Sequence, residues 1–99
     1  MKQNHQLIRV YLAENDNKLD PIMDYLHNDI KIKGATVFRG ISGFGDTGQI
    51  HSSNFTELSL NLPLVIEFFD EMDKIKQAVS HLQNMSLKGH IVSFAVDIF

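Results

Sequence analysis

Strand-like apolar segments recur four times along this chain, and between them the apolar spacing twice switches to three and four. Residues 7–12 (Leu-Ile-Arg-Val-Tyr-Leu) are rich in strand formers and run into the polar stretch Ala13-Glu14-Asn15-Asp16-Asn17-Lys18. They predict a first strand and its exit loop. Asp20 and Pro21 then read as the N-cap and first residue of a helix. Met23, Leu26 and Ile30 give that helix one apolar face, and Gly34 is its expected C-cap. Residues 35–41 predict a second strand. The segment 49–62 is ambiguous: Leu58, Leu60 and Leu62 alternate with Ser59 and Asn61, as in a short extended piece. Pro63 precedes a strong strand at 64–69. Asp70 is the expected cap of a second helix, in which Met72, Ile75, Val79 and Leu82 repeat at three and four. Lys88-Gly89 closes it. The last strand is 91–99, with Val92, Phe94, Val96 and Ile98 on one side.

The order β-α-β-β-α-β is that of the split βαβ arrangement. The expected fold is α+β: a ferredoxin-like βαββαβ sandwich, a four-stranded antiparallel sheet with two helices on one face, in a single domain over 1–99. The other face of such a sheet is ordinarily polar. Here the third strand is apolar on both sides except at Glu67, and the last strand sets Ile91, Ala95 and Phe99 opposite the Val92 group. A second apolar face predicts oligomerisation. The competing reading is that more than half of any folded surface is apolar.

Composition narrows the partners. A net charge of −3 and a pI near 5.9 argue against a nucleic-acid surface, which needs a basic patch. The chain has no cysteine, which removes disulfides and thiolate metal sites and suits a reducing cytoplasm. No signal-peptide pattern opens the sequence, and no apolar run approaches the roughly 20 residues that span a bilayer. The expectation is a cytoplasmic protein without direct membrane insertion. His5, His27, His81 and His90 show no ligand spacing, so no metal site is predicted.

Candidate chemistry concentrates after the second strand, where Gly40, Gly43, Gly45 and Gly48 are four of the six glycines. Glycine permits positive φ and close approach of backbone N–H groups to a ligand. With Arg39 and His51, such a loop can place a ring of amides around a small anion. The competing reading is a plain hairpin in which glycine serves turn geometry. For Arg39 the favoured structural alternative is a cross-strand ion pair with Glu67. Lys88 and His90 flank Gly89 at the turn before the last strand, where Lys88 complements a helix C-terminus. Asp70, Glu71 and Asp73 read as anions facing a helix dipole rather than as catalysts.

Residues Gly34-Ala35-Thr36-Val37-Phe38-Arg39-Gly40-Ile41, then Gly43-Phe44-Gly45 and Ile50-His51, resemble the signature of the PII-like family termed domain of unknown function 190. Asn61-Leu62-Pro63-Leu64-Val65-Ile66-Glu67 resembles that family's approach to the third strand. The resemblance implies a homotrimeric, non-enzymatic signalling protein of PII-like fold. It implies an adenine nucleotide bound in clefts between subunits and a regulated transporter, channel or enzyme as partner. The ligand residues it implies are Arg39, Gly40, Gly43, Phe44, Gly45, Gly48, His51, Lys88 and Gly89. Asp46 stands where PII proteins place a phosphate-binding arginine, the loop is shorter, and the segment before the last strand is poor in glycine. AMP or ADP therefore fits the reduced positive charge better than ATP.

Three other classes are weighed against this one. An acylphosphatase-like enzyme needs a phosphate loop with arginine after the first strand, and here that loop carries carboxylates. An RNA-recognition module needs its aromatics on the third strand within a basic surface. A structural trimer without ligand shares every feature except the ligand.

Overall fold

In the computed structural model, which describes residues 2–45, 50–52, 61–87 and 90–99, strand β1 (Lys2–Ala13) leads into a short 3-10 turn (Glu14–Asp16). Helix α1 (Leu19–Asp24) follows and continues as a π turn (Tyr25–Asp29). Strand β2 (Ala35–Arg39) comes next, then two short strands, β3 (Ser42–Phe44) and β4 (Ile50–Ser52). Strand β5 (Pro63–Glu71), helix α2 (Met72–Gln83) and strand β6 (Ile91–Ile98) complete the chain. The four long strands form one antiparallel sheet in the order β2-β5-β1-β6, and β3 and β4 pair as a separate ribbon. This is the expected α+β, ferredoxin-like order.

Register decides which side chains share a face. Val10 lies opposite both Ile66 of β5 and Ile91 of β6, and Ile8 lies opposite Phe68. With a side-chain period of two, Ile8, Val10, Leu12, Leu64, Ile66 and Phe68 fall on the helix side, where all are buried. Ile22 and Leu26 close over them from the first helix and Ile75, Ala78 and Leu82 from the second. Each fully buried aliphatic of this set contributes roughly 1.5–3 kcal/mol.

The helix ends differ from expectation. Asp20 does not cap α1: Lys18 holds the N-cap position without a side-chain cap bond, and Pro21 sits inside the first turn. Gly34 is not the C-cap. The π turn inserts an extra residue, with Ile30 N–H bonded to Tyr25 O, and Lys31 takes the left-handed conformation at φ 57°. Ile32 N–H then closes onto Leu26 O at 2.9 Å, a helix-terminal motif widened by one residue. Ile22 and Leu26, four apart, are buried together, and Met23 and Ile30 pack at the margin of the core.

Asp70 does not cap α2, whose N-cap is Glu71. It belongs to β5 and is buried. One carboxylate oxygen accepts from Glu71 N–H at 2.7 Å and the other from Lys33 N–H at 3.1 Å. A buried carboxylate so used satisfies two backbone donors and fixes the approach to β2. Nearby, the Lys33 ammonium lies 3.3 Å from the ring of buried His5. Tyr25 and His81 stack at 3.6 Å between ring centroids, joining the two helical segments. The second strand ends at Arg39 rather than at 41. Leu58 and Leu60 lie outside the described residues, and Leu62 is buried.

Candidate functional site

The chain between β2 and β5 departs from the sheet at Gly40 and returns at Pro63. Gly40 N–H donates to Pro63 O at 2.7 Å, the last ladder bond before the ribbon diverges. A Cβ at Gly40 would stand 2.8 Å from Pro63 Cγ, and one at Gly43 would stand 3.1 Å from the same atom. Neither glycine has φ in the left-handed region. They are small because the proline ring lies against them, so the expectation of positive φ is corrected here. At Gly45 a Cβ would meet nothing within 4 Å.

The ribbon pairs Ser42 with Ser52, Gly43 with His51 and Phe44 with Ile50. It therefore brings Gly43, Phe44, Gly45 and the backbone of His51 together at one end of the sheet. Phe44 and Ile41 are 75% and 77% exposed, so the Phe44 ring is free for a contact made outside the chain. Gly48, Lys88 and Gly89 lie outside the described residues.

Arg39 does not pair with Glu67. Thr36 is the β2 residue opposite Glu67, and three residues on, Arg39 points to the other side of the sheet. Glu67 bonds Arg9 instead, its direct partner across β1 and β5, at 2.9 Å. Arg9 also lies over the Phe94 ring, 5.2 Å from its centroid. The Arg39 guanidinium reaches Glu14 in the 3-10 turn after β1, with Nη2 to Oε1 at 2.8 Å. The same carboxylate oxygen accepts the Leu62 N–H at 2.9 Å, and Glu14 N–H donates back to Leu62 O at 3.0 Å. Asn15 N–H adds a bond to the Asn61 side chain at 3.0 Å. The Arg39 hydrogen bond, with the Leu62 amide behind it, holds the Glu14 carboxyl below the usual range. Glu14 was not legible as a site residue, because its partners are 25 and 48 positions away.

Two open grooves mark the helix side. One, of about 400 Å³, is lined by Met23, Leu26, His27, Ile32 and Gly34 among others. The second, of about 450 Å³, runs between α2 and β6 past Ile75, Val79 and Ile91. Neither includes a predicted ligand residue. The arrangement around Arg39 is thus an open surface: a guanidinium, a glycine-proline junction and an exposed aromatic. Among the described residues, no cluster of three or more His, Asp or Glu is placed to hold a metal ion, and no helix is long and apolar enough to cross a membrane.

Comparison with known proteins places this geometry. The DUF190 family model, described as Uncharacterized ACR, COG1993, matches residues 5–98. A UPF0166 protein of Aquifex aeolicus (strain VF5) is 34% identical over 82 residues, covering 79% of this chain and 78% of that protein. UPF0166 protein MJ1524 of Methanocaldococcus jannaschii is 35% identical over 82 residues, covering 78% and 74%. Among solved structures, CPII from Thiomonas intermedia K12, a nitrogen regulatory PII-like protein bound to ADP, AMP and bicarbonate, superposes with a TM-score of 0.67 at 17% identity. It matches 95% of this chain and 85% of its own. The divalent ion tolerance protein CutA1 from Ehrlichia chaffeensis gives a TM-score of 0.65 at 15% identity, over 100% and 87%. At these identities the structural likeness is one of fold, and the fold is PII-like.

Proposed function

The chain belongs to the DUF190 family, and from that premise we propose that it is a non-enzymatic, PII-like regulatory protein. It assembles as a homotrimer and binds an adenine nucleotide, AMP or ADP in preference to ATP, at clefts between subunits. Its output is the control of a transporter, channel or enzyme, and its compartment is the cytoplasm.

The observation that carries this reading is the ribbon at the end of β2. Arg39, paired with Glu14 but with its side chain 54% exposed, supplies a guanidinium, Phe44 supplies an exposed ring face, and neither of the two grooves described above includes them. A nucleotide there would be half-enclosed by one chain and completed by another. The similar structure of CPII, with ADP and AMP bound, supports nucleotide as the ligand class. Support for assembly comes from the sheet face turned away from the helices. Tyr11, Phe38, Phe69, Val92 and Phe94 on that face are all exposed in the single chain. They lie on either side of the Arg9–Glu67 pair, and so much exposed apolar surface on one face is what an interface between copies would cover.

Isothermal calorimetry with AMP, ADP and ATP tests the ligand. Saturable binding near one nucleotide per chain is expected, with Arg39→Ala weakening it about tenfold or more, the loss of a charge-assisted hydrogen bond. No heat from any of the three overturns nucleotide binding. Sedimentation equilibrium tests assembly: a mass of one chain overturns the trimer.

A further inference from the structure

Glu14 occupies a position that suits an external anion. Its Oε1 receives two donors, the Arg39 guanidinium at 2.8 Å and the Leu62 backbone N–H at 2.9 Å. These donors come from separate parts of the chain. Arg39 ends β2, and Leu62 immediately precedes β5. They converge for reasons independent of the Glu14 carboxylate. Gly40 N–H ties the end of β2 to Pro63 O, and Glu14 N–H ties the turn to Leu62 O. A guanidinium and a backbone amide fixed on one oxygen atom form an oxyanion site.

We propose that Arg39 and the Leu62 amide form a binding site for a small carboxylate ion, which Glu14 fills as a tethered internal ligand. The occupant's own chemistry selects the class: one oxygen atom of a singly charged carboxylate meets both donors. The site is reachable, since the Arg39 side chain is 54% exposed and that of Glu14 25% exposed. Vacating it needs only rotation of the Glu14 side chain. The turn itself stays anchored through Glu14 N–H, through Asn15 N–H on Asn61, and through Ala13 N–H on Asp16. A tethered group acts at an effective concentration of order millimolar or above. An external carboxylate therefore competes with a tethered rival, which raises the concentration it needs. When it displaces Glu14, Arg39 is engaged by the newcomer and Glu14 is released into solvent. The proposal rests on the reading above only in linking this exchange to nucleotide binding. The site itself stands on the two donors.

The test is a titration of the full chain with sodium acetate at constant ionic strength, followed through the Leu62 amide resonance by NMR, with inorganic phosphate as a parallel arm. In Glu14→Ala, acetate is expected to bind about tenfold or more tighter than in the parent, the difference expected for a charged hydrogen bond made available. The Leu62 amide should shift most, and Arg39→Ala added to Glu14→Ala should abolish the response. Equal affinity in parent and variant overturns the proposal, as does an unmoved Leu62 amide or binding that survives loss of Arg39. Preference for phosphate over acetate overturns the carboxylate assignment. Should Glu14→Ala fail to fold, Glu14→Gln decides. It leaves a neutral acceptor in place of the charged one, a weaker competitor for both donors, so acetate must still bind more tightly than in the parent. Calorimetry with ADP on the same samples separates the two readings: acetate binding without nucleotide binding rejects the nucleotide and keeps this site, and the reverse rejects this site alone.

Discussion

The two faces of the sheet are built from the same strands and both carry large apolar side chains, one of them around the Arg9–Glu67 pair, yet they have opposite fates. On one face Ile8, Val10 and Ile66 are fully buried and Phe68 is 1% exposed. On the other, Phe38 is 51% and Phe94 45% exposed, as large and as apolar as Phe68. The difference lies in the connections. β1 and β2 both run antiparallel to β5, so the first helical connection joins parallel strands, and α2 does the same for β5 and β6. Crossovers of this kind have one hand, and two of that hand lay both helices on the same side. Apolar alternation says that both faces seek cover. Connectivity says which one the chain covers for itself.

Substitutions at matched phenylalanines break this comparison most directly. Phe68→Ala should lower the free energy of unfolding by about 3–5 kcal/mol, the cost of a large aromatic removed from a packed core. Phe94→Ala should cost an isolated protomer less than ~1 kcal/mol, as for a surface change. Urea unfolding measures both, and equal losses would show that the open face is no less packed than the core. Phe38→Asp combined with Phe94→Asp should then convert the proposed trimer into single chains on sedimentation, with the protomer's far-ultraviolet dichroism retained.

A smaller effect sharpens the contrast at the ribbon. Gly40→Ala puts a Cβ 2.8 Å from Pro63 Cγ, and a proline ring held by the backbone does not yield. A loss of roughly 1–3 kcal/mol is expected from such overpacking. Gly45→Ala meets open space and ordinary backbone, so it should be neutral or stabilising by about 0.4–1 kcal/mol through the unfolded state. Thermal melts of the two variants check this, and a shared response would reject Pro63 as the reason for Gly40.

The smallest expected effect is the dependence on pH. The Glu14 carboxyl titrates below its ordinary value because Arg39, and then the Leu62 amide, bond its charged form. A depressed acid favours the folded state above its unfolded pKa. That contribution is fully present at neutral pH and is lost as pH falls through the folded-state value. Parent and Glu14→Gln melting temperatures should therefore differ at neutral pH and converge in acid. A constant difference would assign the effect to packing rather than charge.

Much of the architecture was legible because period is a local property. The Val92-Phe94-Val96-Ile98 alternation and the Met72-Ile75-Val79-Leu82 spacing are matched by β6 and α2. The errors gathered at places where a distant residue decides. Asp70 has the chemistry of a helix cap, but Lys33, 37 positions away, supplies a backbone donor and keeps it in the strand. Gly34 has the chemistry of a C-cap, but the π turn ends the helix earlier, at the left-handed Lys31. At the site, Gly40 and Gly43 stood out by composition, whereas their cause, the ring of Pro63, lies 20 or more positions on.

What the sequence determined by itself is the four strands of the sheet, the two helical segments, their order and the existence of two sheet faces with apolar residues, because these follow from periods of two and 3.6 and from chain connectivity; the β3–β4 ribbon did not show in it. Only the tertiary structure decided the partners of charge. Arg39 and Glu67 sit on neighbouring strands with opposite parity, so register separates them. Register gives Glu67 to Arg9, and the 3-10 turn after β1 carries Glu14 to Arg39. Parity is fixed only once strands are paired, and pairing across 25 to 58 positions is written in no local pattern.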